Sequence, residues 1–196
     1  FDGNKGSYIE VPDNASLQLD KLTISAWINV RKGMNHAAIF MKGEKVGWGA
    51  LYMARICTTS DTGMTWGTCF GGTEGYFATD GVISTNKWFH VCMTADGTTA
   101  IGYVDAKVPT SGQGNPHAAT APLNKFPGKP VEIGVGRSVD GTVGNDSYYN
   151  GIIDDLILWN RALSADEVKQ LASGERLTAV QIEGKAAVTW GDIKSR

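Results

Sequence analysis

The clearest pattern in the chain is a strict alternation of apolar and polar residues over residues 22–30. One set of alternate positions holds Leu22, Ile24, Ala26, Ile28 and Val30, and the other set holds Thr23, Ser25, Trp27 and Asn29. Because successive side chains of a strand point to opposite faces, this alternation predicts a strand with one buried face. Residues 88–94 and 99–104 are two further strand candidates that flank Asp96-Gly97, which predicts a β-hairpin.

A second informative stretch combines a strand and a helix start. The apolar run from Ile152 to Trp159 has the length and the β-branched character of a strand. Ser164 followed three residues later by Glu167 is typical of a capping box, and it predicts a short helix from Ala165 to about Ser173. Gly174 suits the end of that helix.

About a dozen short strand patterns and one helix are separated by glycine-rich turns. Residues 109–130 interrupt them and predict a long irregular loop, with at most one short strand. Further strands are predicted at residues 177–182 and 185–190. No β-α-β alternation occurs, so the predicted fold class is an all-β antiparallel sandwich, with residues 1–196 forming a single domain.

Composition narrows the function classes. The 196 residues are 42% hydrophobic and carry a formal net charge of −2. Without a basic excess to neutralise phosphates, nucleic-acid binding is not expected. No apolar run approaches the roughly 20 residues that a membrane-spanning helix needs, so no membrane insertion is expected.

The acidic pair Asp154-Asp155 interrupts the apolar strand. Adjacent strand residues face opposite sides, so one carboxylate is expected to point towards the buried side or a sheet edge. A buried charge needs a partner, and a hard cation held by oxygen ligands is one such partner. The alternative is that Asp154 accepts backbone amides or pairs with a basic residue such as Arg161.

Three cysteines, Cys57, Cys69 and Cys92, leave at least one thiol unpaired. Cys57 and Cys69 flank a polar, turn-like run, so a disulfide across a hairpin is plausible and would fit secretion. Two separate reduced thiols are the alternative. Cys92 lies in an apolar run and is expected to be a small buried residue.

Four motifs in order resemble a laminin-G-like domain of the concanavalin A-like lectin/glucanase superfamily. They are Phe1-Asp2-Gly3 with residues 8–12, residues 22–28, residues 87–91 with Asp96-Gly97, and residues 149–155 continuing to 160–164. The resemblance implies a jelly-roll sandwich of two antiparallel sheets, of a kind that is typically extracellular. It also implies a bound Ca²⁺, whose ligands carry over to Asp2 and Asp154.

Catalytic patterns are scarce. Retaining glycoside hydrolases need two carboxylates about 5–5.5 Å apart, and no run of acids on one strand face provides them. His90 is expected to be a hydrogen-bonded core histidine. The sequence gives little support for an enzyme, although a site assembled from distant residues would escape this reading.

Sugar recognition needs flat aromatic faces with planar polar side chains nearby. Trp48, Trp66 and Tyr148 are the candidate ligand-binding residues, with packing in the core as the alternative for each. Trp27, Trp88 and Trp159 are assigned to packing. The function predicted from these features is a non-catalytic, calcium-stabilised extracellular carbohydrate-binding module that is secreted or at the cell surface, with a glycan or an extracellular protein as partner. The alternatives are a protein-interaction or adhesion domain of the same fold and a polysaccharide-active enzyme.

Overall fold

The computed structural model describes residues 1–33, 36–43, 52–56, 63–70, 73–79, 81–111, 114–118, 121–136 and 147–177. Thirteen strands, one 3-10 helix and one α-helix lie in these ranges. The strands are β1 (Ile9–Val11), β2 (Leu22–Val30), β3 (Ala38–Lys42), β4 (Tyr52–Ile56), β5 (Met64–Phe70), β6 (Thr73–Thr79), β7 (Trp88–Ala95), β8 (Thr99–Val104), β9 (His117–Ala118), β10 (Val131–Ile133), β11 (Val135–Gly136), β12 (Ser147–Tyr148) and β13 (Gly151–Trp159). The 3-10 helix spans Ala15–Leu17, and α1 spans Ala165–Ala172.

Two antiparallel sheets carry the fold, which confirms the predicted all-β sandwich. Six strands pair in the order β1-β10-β3-β4-β5-β6, and five pair in the order β13-β2-β7-β8-β9. Strands β11 and β12 form a separate two-stranded pair. Gly134, whose φ is +84°, separates β10 from β11 and lets consecutive residues join different sheets.

The hydrophobic core lies between the two large sheets. The apolar positions of β2, from Leu22 to Val30, are all buried in it, as the alternation predicts. Trp66 of β5 is fully buried and lies against Gly102 of the opposite sheet, where an added Cβ would be 2.6 Å from the indole ring. Gly102 therefore provides the space that the largest core side chain occupies.

The helix forms where the sequence predicts it. The Ser164 hydroxyl accepts from the Glu167 amide at 3.2 Å, and the Glu167 carboxylate accepts from the Ser164 amide at 2.8 Å, which completes the capping box. Gly174, with φ of +81°, follows the last turn. Within the described ranges, no helix has the length and apolar character needed to cross a bilayer.

The acidic pair in β13 does not face the core. The register of β13 against β2 shifts between Asp154 and Ile157, and Asp155 takes a φ of +46°. Such a bulge sets an extra residue out of the ladder, and β13 is an edge strand, so both carboxylates are exposed to solvent. Of the two expected positions, the buried side and a sheet edge, the structure shows the sheet edge.

Candidate functional site

The outer face of the five-stranded sheet carries the polar alternate positions of β2. The register aligns Ile152, Asn29 and Trp88 in one row across β13, β2 and β7. The next row holds Asp154 and Trp27, followed by His90 of β7. Residues that pair across a sheet point to the same side, so these side chains form one continuous surface.

The helix covers only the far end of this face. Val168 and Leu171 of α1 pack with Cys92, Tyr103 and Leu163 in a small apolar cluster. The segment before the helix is held by the sheet itself. The Thr23 hydroxyl donates to the Arg161 carbonyl and accepts from the Leu163 amide, each at 2.8 Å. The rows that contain Trp27 and Trp88 lie outside this cluster.

We name the uncovered part of the face, formed by Trp27, Asn29, Trp88 and Ile152, the tryptophan platform. Trp88 is 44% exposed and Ile152 is 39% exposed, which is unusual for side chains of this size. Trp27 and Asn29 are half-buried. Trp27 and Trp88 are diagonal neighbours across β2 and β7, a separation of about 7–8 Å between Cα atoms that aromatic side chains can bridge.

A buried histidine lies beside Trp27, in the same row of the sheet. His90 is 1% exposed, and its ring centroid lies 5.5 Å from that of Trp27 in an edge-to-face arrangement. Its backbone amide donates to Asp105 Oδ1 at 2.9 Å. Burial disfavours the imidazolium and lowers the pKa of His90 to about 4, although the Asp105 charge acts in the opposite direction. The ring is therefore neutral at pH 7 where it contacts Trp27.

The structure places the candidate aromatic residues away from solvent where it describes them. Trp66 is in the core between the sheets, and Tyr148 is 7% exposed with its ring centroid 6.4 Å from that of Tyr8. Neither ring offers a face to a ligand, so both belong to packing. Trp48 lies outside the described residues.

The carried-over calcium ligands do not come together in this register. Asp2 forms a bridge with Asn150. Asp154 lies four residues after Asn150, which places the Cα atoms of these two residues about 13 Å apart along the extended chain. Both Oδ atoms of Asp2 accept from Asn4, and Asp154 Oδ1 accepts from the Asp155 amide. Calcium ligands lie 2.3–2.6 Å from the ion, so these two carboxylates do not fit one shared site.

Across the described part of the chain, no three His, Cys, Asp or Glu side chains converge in a group able to hold a metal ion. Calcium binding by the chain, with Asp2 and Asp154 as ligands, stays a prediction that the described register does not favour.

The predicted disulfide joins Cys69 to Cys57, and Cys57 lies outside the described residues. Strands β4 and β5 form the expected hairpin, in which Ile56 pairs with Met64. Cys69 lies five residues beyond Met64 and pairs with Glu74 of β6. The disulfide stays a prediction that this register does not favour. Cys92 is buried with a free thiol, and its burial raises the pKa of that thiol.

Sequence reasoning missed the exposure of Trp88. Its place in a strand motif of the family resemblance predicts packing, and the same prediction is confirmed for Trp159, which packs beside the helix. Trp159 lies in the part of the face that α1 covers, and Trp88 lies outside it. A partial signal was present in the sequence, because Trp27 and Asn29 occupy the polar set of alternate positions in β2.

Comparison with known proteins agrees with this architecture. Residues 2–169 match the sequence profile of a laminin G family described as the concanavalin A-like lectin/glucanases superfamily. The chain belongs to this superfamily. No curated protein sequence matches this concanavalin A-like chain closely enough to count as a relative.

Solved structures share the fold at low identity. A native heptameric SAP-like pentraxin from Limulus polyphemus is 20% identical with a TM-score of 0.60, and the match covers 88% of this chain and 79% of the pentraxin. Domain 4 of AbnA, a GH43 extracellular arabinanase from Geobacillus stearothermophilus solved with arabinotriose, is 18% identical with a TM-score of 0.56, over 84% and 72% of the two chains.

A third similar structure is the binding domain of botulinum neurotoxin DC, solved in complex with rat synaptotagmin II. It is 15% identical with a TM-score of 0.57, and the match covers 88% of this chain but only 41% of the toxin domain. At these identities the likeness shows the concanavalin A-like fold alone.

Proposed function

We propose that this chain is a non-catalytic carbohydrate-binding module and that the tryptophan platform is its ligand-binding surface. The observation that carries the proposal is the 44% exposure of Trp88 beside the amide of Asn29. An indole presents a large, flat, apolar face that stacks on the C–H patches of a sugar ring. The Asn29 side chain has both donors and acceptors for sugar hydroxyls.

The shape of the platform favours an extended ligand. The row from Ile152 through Asn29 to Trp88 crosses three neighbouring strands, which are about 4.8 Å apart. A ligand lying across it would contact an aliphatic, an amide and an aromatic side chain over about 10 Å. The internal units of a polysaccharide fit such an open surface better than an isolated small molecule, which usually needs a concave pocket.

The location of the protein and its stabilisation by calcium are also part of the proposal. The arabinanase whose domain 4 resembles this chain is described as extracellular and was solved with a bound sugar. We propose a secreted or cell-surface location by analogy with it. Calcium stabilisation, which the family resemblance implies, is likewise a proposal.

A protein-interaction domain is the second candidate. Ile152 and Ile157 are both exposed on the same edge strand, and exposed apolar side chains beside a tryptophan are also typical of protein contacts. The similar toxin binding domain was solved with a protein partner. Contact with a protein would depend on both isoleucines, whereas sugar stacking depends mainly on the indole.

The test is affinity electrophoresis in gels containing individual soluble polysaccharides, with wild type and Trp88→Ala. We expect at least one polysaccharide to retard the wild type. We expect Trp88→Ala to weaken that interaction about tenfold or more, because a central aromatic contact typically contributes at least 1.4 kcal/mol.

The matched control is Ile9→Ser, which removes an exposed apolar side chain from the edge of the other sheet. It should leave retardation unchanged. Retardation that is equal in wild type and Trp88→Ala would reject the platform as the binding surface. Unfolding midpoints of the three proteins show whether the fold is intact.

A further inference from the structure

Three basic residues lie at the end of the sheet where β2 ends and β7 begins, next to the tryptophan platform. Arg31 and Lys32 follow the last residue of β2, and Lys87 immediately precedes Trp88. All three are exposed. We name them the basic rim.

Backbone hydrogen bonds bring the members of the rim together. The Asn86 amide donates to the Val30 carbonyl at 2.7 Å, so the residues that flank these two lie at the same end of the sheet. The Arg31 amide donates to the Asn150 carbonyl at 2.9 Å, which extends the ladder one residue beyond β2. In that extended ladder Arg31 is two residues from Asn29, and it therefore shares the outer face with the platform.

Among the described residues, no acidic side chain forms an ion pair with the basic rim. Ion pairs in the described part of the chain join Lys42 to Asp13, Lys125 to Asp20 and Arg161 to Glu167, and none involves the rim. The nearest described acid along the ladder is Asp2, whose bridge partner is Asn150; its carboxylate accepts hydrogen bonds from Asn4 and forms no ion pair with the rim. Asp154 lies at the opposite end of the platform, next to Trp27.

We propose that the ligand of the tryptophan platform is an acidic glycan, whose anionic group contacts the basic rim while a sugar ring stacks on Trp88. This proposal rests on the proposed carbohydrate-binding function. Arg31 lies at one end of the platform and Asp154 at the other, so the indole lies between charges of opposite sign. An anionic sugar bound in this frame has one favoured orientation, because reversing it would place like charges together. Carboxylate and sulfate groups share this chemistry.

The experiment measures the binding of polysaccharides in pairs that differ in charge. Polygalacturonate and alginate supply carboxylates, heparin and dextran sulfate supply sulfates, and galactan, mannan and dextran are the neutral counterparts. The proteins are wild type, Trp88→Ala, the rim variant Arg31→Gln/Lys87→Gln, and the control variant Lys21→Gln/Lys169→Gln. Lys21 and Lys169 are exposed, and the control removes two positive charges from the opposite end of β2 and from α1.

For wild type we expect at least one acidic polymer to bind about tenfold more tightly than its neutral counterpart, with affinity that falls as salt rises. The rim variant should lose most of this preference, and the control variant should keep it. Trp88→Ala should weaken binding of the acidic polymer even at high salt, where the contribution of the charges is screened. The preferred polymer identifies the anionic group as carboxylate or sulfate.

The outcomes separate the two proposals. Neutral polymers that bind as tightly as acidic ones, with loss in Trp88→Ala, would overturn the acidic ligand and leave the proposed function standing. If the rim variant and the control variant weaken binding of the acidic polymer equally, the acidic-ligand proposal also fails. The effect would then come from the net charge of the protein and not from the position of the rim. If no polymer binds, or if Trp88→Ala binds like wild type, the proposed function fails and the inference fails with it.

Discussion

The imidazole of His90 lies beside Trp27, and burial lowers its pKa well below the ordinary value. In the unfolded chain this group binds a proton near pH 6.5, whereas in the folded protein its pKa is about 4. Between these values the unfolded state holds more protons, so the stabilisation present above pH 6.5 is lost as the pH falls towards 4.

We therefore expect the free energy of unfolding of the wild type to decrease between about pH 7 and about pH 5, the interval in which histidine titrates and most carboxylates do not. His90→Gln keeps a neutral side chain at both values and should show a flatter pH dependence. Chemical denaturation of both proteins at pH 7 and at pH 5 measures how the free energy of unfolding changes with pH in each. Parallel slopes in the two proteins would show that His90 is not the group responsible.

At the scale of elements, local sequence patterns determine β2 and α1 almost completely. The alternation over residues 22–30 requires nothing beyond the period of a strand, and the capping box lies within four residues. The bulge in β13 and the exposure of Trp88 have no such local origin. They depend on where an edge strand loses register and on how much of a face one short helix covers, and both are properties of distant segments.

The helix cap gives a direct test at this scale. Ser164→Ala removes the oxygen that accepts the Glu167 amide, and we expect a loss of about 0.5–2 kcal/mol in the free energy of unfolding. Ser164→Asp keeps an acceptor at that position and should restore most of the loss. Denaturant unfolding measures both variants. Equal loss in the two would indicate that the hydroxyl acts through packing rather than as a cap.

For the whole molecule, the sandwich fold follows from the sequence because many short alternating patterns leave few other ways to bury their apolar faces. The ligand sites do not follow in the same way. Asp2 and Asp154 come from motifs that the family resemblance joins, but the bridge at Asn150 separates them along the strand. The sequence makes Trp66 and Tyr148 candidate ligand-binding residues, but the packing of the sheets buries both side chains.

Thermal unfolding with excess calcium and with a chelator tests the metal prediction on the intact chain. A ligand that binds only the folded state raises the unfolding midpoint. Because Asp154 is exposed and shares no site with Asp2, we expect any calcium-dependent shift to be the same in wild type and Asp154→Asn. Loss of the shift in the variant alone would show that Asp154 is a calcium ligand and that the described register does not hold in the bound state.

The bulged strand β13 also affects how copies of the protein behave at high concentration. Its first residues are already paired, because Phe1 and Gly151 exchange backbone hydrogen bonds, and its middle presents two carboxylates and an irregular backbone. An edge of this kind is a poor template for adding a strand from another molecule. Many copies bound side by side along one polymer would therefore stay separate domains at this edge, without fusing into a larger sheet.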